Sequence, residues 1–206
     1  MDNQTAKIKV FVDLDDTLLD TAAMKRDIFQ KVVDMGVSED VVRAKYEDAR
    51  KEHGGDYLKP FAESFAIYGV DSEHLYLDLQ QIATESGEYL LENRLLWLDQ
   101  FQDSKHELIL LTYGNPDVQE RKVQGSHLEN IFEGKVVYVK GDKVAEIRNM
   151  IEPGEKFIFV DDKREIIDSI IKEYPEQVEV WQAGEKEKDP EAYYSPLDLE
   201  REGRNY

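Results

Sequence analysis

The apolar run Ile8–Val12 is directly followed by three aspartates and a threonine: Asp13, Asp15, Asp16 and Thr17. In an extended backbone Asp13 and Asp15 point to the same side, because side chains alternate with a period of two. Converging carboxylates repel each other unless a hard cation lies between them, and oxygen ligands of this kind suit Mg²⁺. The same residues also fit a simpler pattern, an acidic turn followed by a capped helix.

The run Ile8–Val12 predicts the element that positions these carboxylates. A parallel strand covered on both faces is nearly continuously apolar, as this run is, whereas a half-exposed strand alternates. The carboxylates would then lie at the C-terminal end of the strand, where open α/β sheets bind their ligands.

A second strand, predicted over residues 106–112, ends in a hydroxyl side chain. Thr112 is followed by Tyr113, Gly114, Asn115 and Pro116, and a proline suits the first turn of a helix. A hydroxyl at a strand end, together with backbone N–H groups of a helix N-terminus, can hold a phosphate group. The same residues are also ordinary in turns.

A third strand, Val136–Val139, precedes two lysines, Lys140 and Lys143. They would supply positive charge beside the acidic residues at the mouth of the sheet. Asp142 is a suitable cap that would place Lys143 in the first turn of a helix.

A fourth apolar strand begins at Phe157 and ends in the paired carboxylates Asp161 and Asp162. It repeats the pattern of the first strand. A further strand over residues 178–181 is predicted at the edge of the sheet. Strands separated by helices, with polar residues at their C-terminal ends, predict an α/β fold with a parallel sheet.

The string Asp13-Leu14-Asp15-Asp16-Thr17-Leu18 resembles the first motif of the haloacid dehalogenase-like hydrolases, in the Asp-x-Asp-x-Thr phosphatase branch. Thr112, Lys143 and the pair Asp161 and Asp162 resemble the second, third and fourth motifs, in the same order. The third motif is a phosphate-binding lysine near the start of a helix, so the resemblance favours Lys143; Lys140 ranks second, and Lys122, on the helix predicted before the third strand, ranks third. The resemblance covers about residues 8–171 and implies a Rossmann-like core with an inserted α-helical cap. It implies a magnesium-dependent phosphatase that acts on a small phosphorylated metabolite.

The resemblance also implies roles for individual residues. Asp13 would be the nucleophile that forms an aspartyl phosphate. Asp15 would be the acid and base, for which a raised pKa would help, and Thr17 would fix Asp15 and the turn. The transferring oxygens would be held by groups on both loops: Thr112, Lys143, Gly114, Asn115 and the backbone N–H groups near Leu14 and Tyr113.

The metal ligands implied by the resemblance are Asp13, the backbone carbonyl of Asp15, and Asp162. Asp161 stands where many members of the family have glycine. Three roles stay open for it: orienting a metal-bound water, orienting the lysine, or binding the metal itself.

Three other functions stay open. A hydrolytic dehalogenase also uses an aspartate nucleophile, but those relatives lack the second aspartate of the first motif, which is Asp15 here. A phosphomutase would differ in returning the phosphoryl group to a sugar. A non-catalytic member would use the same residues only to bind a phosphorylated ligand.

Residues 21–93 contain helical patterns and no convincing strand, which predicts a helical cap inserted after the first strand. Helices are expected from 21 to about 36, from 39 to about 53, over 57–68 and over 72–86. The core would comprise residues 1–20 and 94–184. Residues 185–206 are charged and contain two prolines, so we expect a loosely ordered tail.

The composition limits the possible partners. The 206 residues include 26 Lys and Arg against 45 Asp and Glu, a formal charge of −19, which disfavours binding to nucleic acid or to an anionic membrane. The chain has no cysteine, no apolar run long enough to span a bilayer and no signal-peptide pattern at its N-terminus. We therefore expect a cytoplasmic protein, either a monomer or a weak homodimer.

Overall fold

A six-stranded sheet is the centre of the structure, a computed structural model that describes residues 7–102, 105–184 and 193–194. The strands are β1 (Ile8–Val12), β2 (His106–Tyr113), β3 (Val136–Val139), β4 (Phe157–Asp161), β5 (Val178–Ala183) and β6 (Tyr193–Tyr194). Their order across the sheet is β3-β2-β1-β4-β5-β6. The first five are parallel, and β6 pairs antiparallel with β5.

The central position of β1 explains its apolar sequence. Val10 pairs with Leu108 of β2 on one side and with Ile158 of β4 on the other. Val10 and Val12 pack in a hydrophobic cluster on one face of the sheet, and Phe11 packs in a second cluster on the opposite face. The predicted α/β fold with a parallel, Rossmann-like sheet is confirmed.

Nine α-helices are present in the described part of the chain. They are α1 (Thr21–Asp34), α2 (Glu39–His53), α3 (Leu58–Glu63), α4 (Ser72–Thr84), α5 (Glu92–Leu98), α6 (Pro116–Gly125), α7 (Leu128–Ile131), α8 (Lys143–Met150) and α9 (Arg164–Glu173). Short 3-10 turns follow some of them, at Gly54–Asp56, Ala66–Tyr68, Ser86–Tyr89 and Asp99–Phe101. None of the helices in these residues is long and apolar enough to cross a bilayer.

The helices α1 to α4 build a hydrophobic core of their own. Its members run along the chain from Met24 to Tyr89 and are separate from the two clusters on the sheet. Aromatic rings form its centre, with Phe61 edge-on to both Tyr46 and Phe65 at centroid distances of 5.8 and 5.0 Å. We call this helical unit the cap. The predicted boundaries at residues 20/21 and 93/94 stay predictions.

Helix α4 of the cap packs tightly against α6, which follows β2. A Cβ atom on Gly125 would lie 2.0 Å from the backbone oxygen of Thr84, a distance that no side chain can occupy. Glycine is therefore required at Gly125 by the close approach of the two backbones. Ser86 adds a hydrogen bond across the same contact, from its hydroxyl to the carbonyl oxygen of Lys122 at 2.5 Å. We call this contact the α4–α6 seam.

Two sequence-based expectations about elements are wrong. The helix predicted over 57–68 ends at Glu63, because Ser64 and Phe65 switch to tighter hydrogen bonds and the Ser64 hydroxyl binds the Phe61 carbonyl at 2.7 Å. The strand predicted at the sheet edge is not the edge, because β6 pairs outside it. Tyr193–Tyr194 thus belongs to the sheet, and the rest of the predicted tail lies outside the described residues.

Candidate active site

Three carboxylates meet at the C-terminal edge of the sheet. Asp13 follows β1, Asp161 ends β4 and Asp162 follows it, and one oxygen from each lies within 4.8 Å of the others. Asp13 continues the parallel pairing, since its backbone N–H donates to the Val160 carbonyl at 2.9 Å. Asp13 and Asp161 are buried. Two adjacent parallel strands therefore bring the first and fourth motifs together.

Lys143 is the cation that bridges two of these carboxylates. Its Nζ lies 2.5 Å from Asp13 Oδ1 and 2.7 Å from Asp161 Oδ2. It begins α8, and Asp142 caps that helix by accepting a hydrogen bond from the Val144 N–H at 3.0 Å, as predicted from sequence. Burial would lower the pKa of Lys143, but attraction to the two carboxylates outweighs it and raises the pKa. The exposed Lys140 lies outside this arrangement and lines a separate cavity.

The crowding of carboxylates changes their acidity. Burial raises the pKa of Asp13; attraction to Lys143 opposes the increase, and repulsion from Asp161 and Asp15 adds to it, giving about 7. Burial, followed by repulsion from Asp13 and Asp161, raises the pKa of Asp162 to about 8. One lysine ammonium is thus not enough to balance the group, and an additional cation would stabilise the ionised forms.

The oxygens that remain available fit such a cation. Asp13 Oδ2 and Asp162 Oδ1 are buried and have no hydrogen-bond partner among the described residues. Both oxygens of Asp161 are engaged, one by Lys143 and the other by the backbone N–H of Lys163 at 2.9 Å. The donor set is therefore hard and anionic, as Mg²⁺ requires. Of the three roles considered for Asp161, its contacts favour orienting the lysine.

Asp15 lies apart from the three-carboxylate group and has its own partners. Lys122 Nζ lies 2.7 Å from Oδ1, Gln119 Nε2 lies 2.8 Å from Oδ2, and the Thr21 hydroxyl donates to Oδ1 at 3.1 Å. Burial would raise the pKa of Asp15, but attraction to Lys122 and these three hydrogen bonds outweigh it and lower the pKa to about 2. The expectation of a raised pKa for Asp15 is therefore wrong.

Thr17 and Thr112 are both fully buried, and neither hydroxyl oxygen has a hydrogen-bond partner among the described residues. The expectation that Thr17 fixes Asp15 is wrong, because Thr21 supplies the threonine hydrogen bond to that carboxylate. Thr112, near the end of β2, fits its predicted role of holding a phosphate oxygen, because a buried hydroxyl without a partner among the described residues is available to a ligand.

The loop after β2 contains the other predicted contacts. Tyr113 is 48% exposed, and Gly114 has a φ of +149°, with the Gln119 side chain packed against it. The Asn115 side chain is already used, since Oδ1 caps α6 and Nδ2 donates to Asp56 in the cap. The Leu14 side chain is fully buried, so only the backbone of Leu14 is available to contact a ligand.

The loop Gly54–Asp56 of the cap lies against this same loop. A Cβ atom on Gly55 would lie 2.8 Å from the backbone nitrogen of Asn115. Together with the hydrogen bond between Asn115 and Asp56, this places cap backbone directly beside core backbone. The cap therefore contacts the core both here and at the α4–α6 seam.

Sequence reasoning missed three supporting residues, Gln119, Thr21 and Arg94, and it considered the fourth, Lys122, only as the third-ranked phosphate-binding lysine and not as the partner of Asp15. Gln119 and Lys122 are three positions apart on α6 and so share a face, a signal that the sequence does contain. Thr21 lies at the start of α1. Arg94 is 1% exposed and donates hydrogen bonds to the carbonyl oxygens of Asp16, Thr17 and Gly184. It therefore holds the backbone of the first motif in place. Nothing in the local sequence distinguishes Arg94 from a surface arginine.

Comparison with solved structures finds the same fold in several proteins. A protein from Burkholderia xenovorans, described as a haloacid dehalogenase-like hydrolase, has a TM-score of 0.69 and 21% identity over 85% of this chain and 81% of that chain. The Bacillus subtilis protein YfnB, described as a HAD hydrolase bound to magnesium, has a TM-score of 0.55 and 16% identity over 77% and 79%. A dehalogenase with an intermediate complex has a TM-score of 0.61 and 15% identity over 93% and 91%.

No protein-family model matches the sequence, and no curated protein matches it. The likeness is therefore one of structure, and it agrees with the order of the four motifs along the chain and with their meeting at one edge of the sheet. The chain has the fold of the haloacid dehalogenase-like hydrolases.

Proposed function

We propose that the protein is a magnesium-dependent phosphatase that hydrolyses a small phosphate monoester through an aspartyl phosphate. One observation carries the proposal. Asp13, Asp162 and the bridging Lys143 lie together at the C-terminal edge of the sheet. Thr112 lies near the end of the neighbouring strand β2, and its buried hydroxyl has no hydrogen-bond partner in the described part of the chain. A nucleophile, a cation site and donors for phosphate oxygens are the parts that phosphoryl transfer needs.

Asp13 is the nucleophile in this proposal. Lys143 holds Oδ1 at 2.5 Å, and Oδ2 has no partner among the described residues, so the carboxylate is oriented while one oxygen is left available. Its attack on phosphorus breaks the bond to the leaving oxygen and forms the aspartyl phosphate. Dividing hydrolysis into two displacements makes each one easier than the direct reaction.

The metal ligands in the proposal are Asp13, Asp162 and the backbone carbonyl of Asp15. Mg²⁺ bound there would supply positive charge that offsets the repulsion between an anionic nucleophile and an anionic phosphate. The Thr112 hydroxyl, the Lys143 ammonium and the backbone N–H groups near Leu14 and Tyr113 would hold the transferring oxygens.

Proton transfer is assigned to Asp15. It would protonate the leaving oxygen in the first step and accept a proton from the attacking water in the second. In its ion pair with Lys122 the carboxylate is ionised near neutral pH, because its pKa is lowered to about 2, so it has no proton to donate and is a weak base. Proton transfer by Asp15 therefore requires this ion pair to loosen when substrate binds.

The test is phosphate release from sugar phosphates, nucleotides and 4-nitrophenyl phosphate, with and without Mg²⁺. We expect metal-dependent release that Asp13→Asn lowers by roughly a thousandfold or more. Asp48→Asn, at an exposed position on α2, is the matched control and should retain full activity. No release from any phosphoester would overturn the proposal, and halide release from 2-haloacids would replace it with a dehalogenase.

A further inference from the structure

A cavity of about 400 Å³ lies between the cap and Asp15. Its core side includes Asp15, Lys122 and Lys163, and its cap side includes Lys25 and Arg50. Among the described residues that line it, four side chains are cationic and two, Asp15 and Asp16, are acidic. In a chain with a formal charge of −19, this excess of positive charge is unusual and marks a surface that suits an anion.

Two of these cations belong to the cap and rest on aromatic rings. Lys25 Nζ lies 4.0 Å from the ring centre of Tyr46, and the Arg50 guanidinium lies 5.0 Å from that of Tyr57. The two tyrosine rings are edge-on to each other at 5.2 Å, so they form one continuous support. Cation–π contacts of this kind orient a cation without neutralising its charge.

In the described part of the chain, neither cation is paired with a buried carboxylate. Arg50 makes no salt bridge there. Lys25 lies 3.4 Å from Glu47, whose side chain is 71% exposed, and such a surface ion pair is weak and easily replaced. Both cations therefore retain the capacity to bind an anion in the cavity.

The position of the cavity decides which part of a substrate would meet these cations. The transferring phosphate is assigned to Asp13, Thr112 and Lys143, none of which lines the cavity, whereas Asp15 does. A leaving oxygen that exchanges a proton with Asp15 places the rest of the leaving group beyond Asp15, toward the cap. The cap cations would then contact the leaving group and not the transferring phosphate.

We propose that the cavity is a second anion site, and that the substrate is a small phosphate monoester whose leaving group carries another negative charge, a carboxylate or a second phosphate. Lys25 and Arg50 bind that charge. This inference rests on the proposed function, because it uses Asp15 to place the leaving group. Tyr46 and Tyr57 hold the two cations toward the cavity.

The experiment compares three matched probes: glucose 6-phosphate, with an uncharged leaving group; 6-phosphogluconate, with a carboxylate; and glucose 1,6-bisphosphate, with a second phosphate. We expect kcat/KM for at least one charged probe to exceed that for glucose 6-phosphate by roughly tenfold or more, as one added charge-assisted contact would give. The better of the two charged probes identifies which anion the site takes.

The variant Arg50→Gln tests the assignment to the cap. It should lower the ratio of kcat/KM between the charged and uncharged probes by roughly tenfold. Lys51→Gln, the adjacent exposed position on the same helix and outside the cavity, is the matched control and should leave the ratio unchanged. Equal kcat/KM for all three probes, or an unchanged ratio in Arg50→Gln, would overturn the inference.

A binding measurement separates this inference from the proposed function. Calorimetry on Asp13→Asn with the same three probes measures affinity without turnover. Tighter binding of the charged probes that Arg50→Gln removes would support the anion site even if no phosphoester were hydrolysed. Hydrolysis of all three probes without any preference for charge, in contrast, would retain the phosphatase and overturn the anion site.

Discussion

Lys122 Nζ lies 2.7 Å from Asp15 Oδ1, so a cation on α6 holds the carboxylate of the second aspartate in the first motif. The side chain of Lys122 is 10% exposed and that of Asp15 is 22% exposed. An ion pair shielded to this degree is screened less by salt than a surface pair and has a larger effect on acidity. Two residues 107 positions apart in sequence thus form one ion pair.

The variant Lys122→Met should raise the pKa of Asp15 by about 1–3 units, because burial would then act without the opposing ion pair. Because Asp15 must carry a proton to protonate the leaving oxygen, the basic limb of the kcat/KM profile moves to higher pH. The measurement is that profile at saturating Mg²⁺. Lys122→Arg keeps the charge and should leave the limb close to its original position, whereas an unshifted limb in Lys122→Met would contradict this role for Asp15.

Replacing Thr112 by valine should separate activity from stability. The hydroxyl is buried without a partner among the described residues, so its removal should leave the free energy of unfolding unchanged or raise it by up to about 1 kcal/mol. Loss of a donor to the phosphate should lower kcat by roughly a hundredfold. Urea unfolding and phosphate release measure the two effects.

Thr84→Val is the matched control for this variant, because its hydroxyl is exposed and bonds only within α4. It should retain full activity. A Thr112→Val protein with wild-type activity would show that the hydroxyl does not contact the substrate.

The three-carboxylate group predicts how stability depends on pH. The pKa values of Asp13 and Asp162 rise from an ordinary 3.8 to about 7 and about 8 on folding. Their contribution to stability is therefore complete below about pH 4 and is lost as the pH rises through 7 and 8. With a chelator present, the unfolding midpoint in urea should fall between about pH 5 and about pH 8.

Added Mg²⁺ should reverse this loss, because it stabilises the ionised carboxylates. At saturating concentration we expect the melting temperature near pH 8 to rise by roughly 5–10 °C. Asp162→Asn should remove most of the gain. Asp48→Asn should keep it, and an equal gain in both variants would place the metal elsewhere.

Gly125→Ala should destabilise the protein by about 1–3 kcal/mol, because the new Cβ would meet the Thr84 carbonyl at the α4–α6 seam. Urea unfolding measures the change. Gly141→Ala is the matched control, since no heavy atom lies within 4 Å of the position of its Cβ, and its free energy of unfolding should change by less than about 0.5 kcal/mol. An unchanged free energy of unfolding in Gly125→Ala would mean that the two helices separate easily.

The strands could be predicted from the sequence because the apolar runs that indicate them are local. Continuous apolar runs mark β1 and β4 as central strands, and the polar residues that end them fall at one edge of a parallel sheet. Asp142 as a helix cap is equally local, which is why Lys143 was placed correctly at the start of α8.

Contacts between residues that are distant in sequence were not predicted. Lys122 and Arg94 are ordinary basic residues on helices until the fold buries them against Asp15 and against the backbone of the first motif. The lowered pKa of Asp15 depends on Lys122 and could not be derived without that contact. The break after α3 was missed because one serine hydroxyl decides where the helix ends.

The α4–α6 seam and the contact of the cap loop with Asn115 together determine the width of the cavity. At Gly125 and at Gly55 the cap and the core approach so closely that a Cβ atom would lie 2.0 and 2.8 Å from backbone atoms of the other unit. Gly55 and Asn115 line the cavity together with Arg50 and Lys122. The spacing between the cation of the cap and the cation of the core therefore depends on two glycines that carry no charge, and a larger side chain at either of them would hold the two apart.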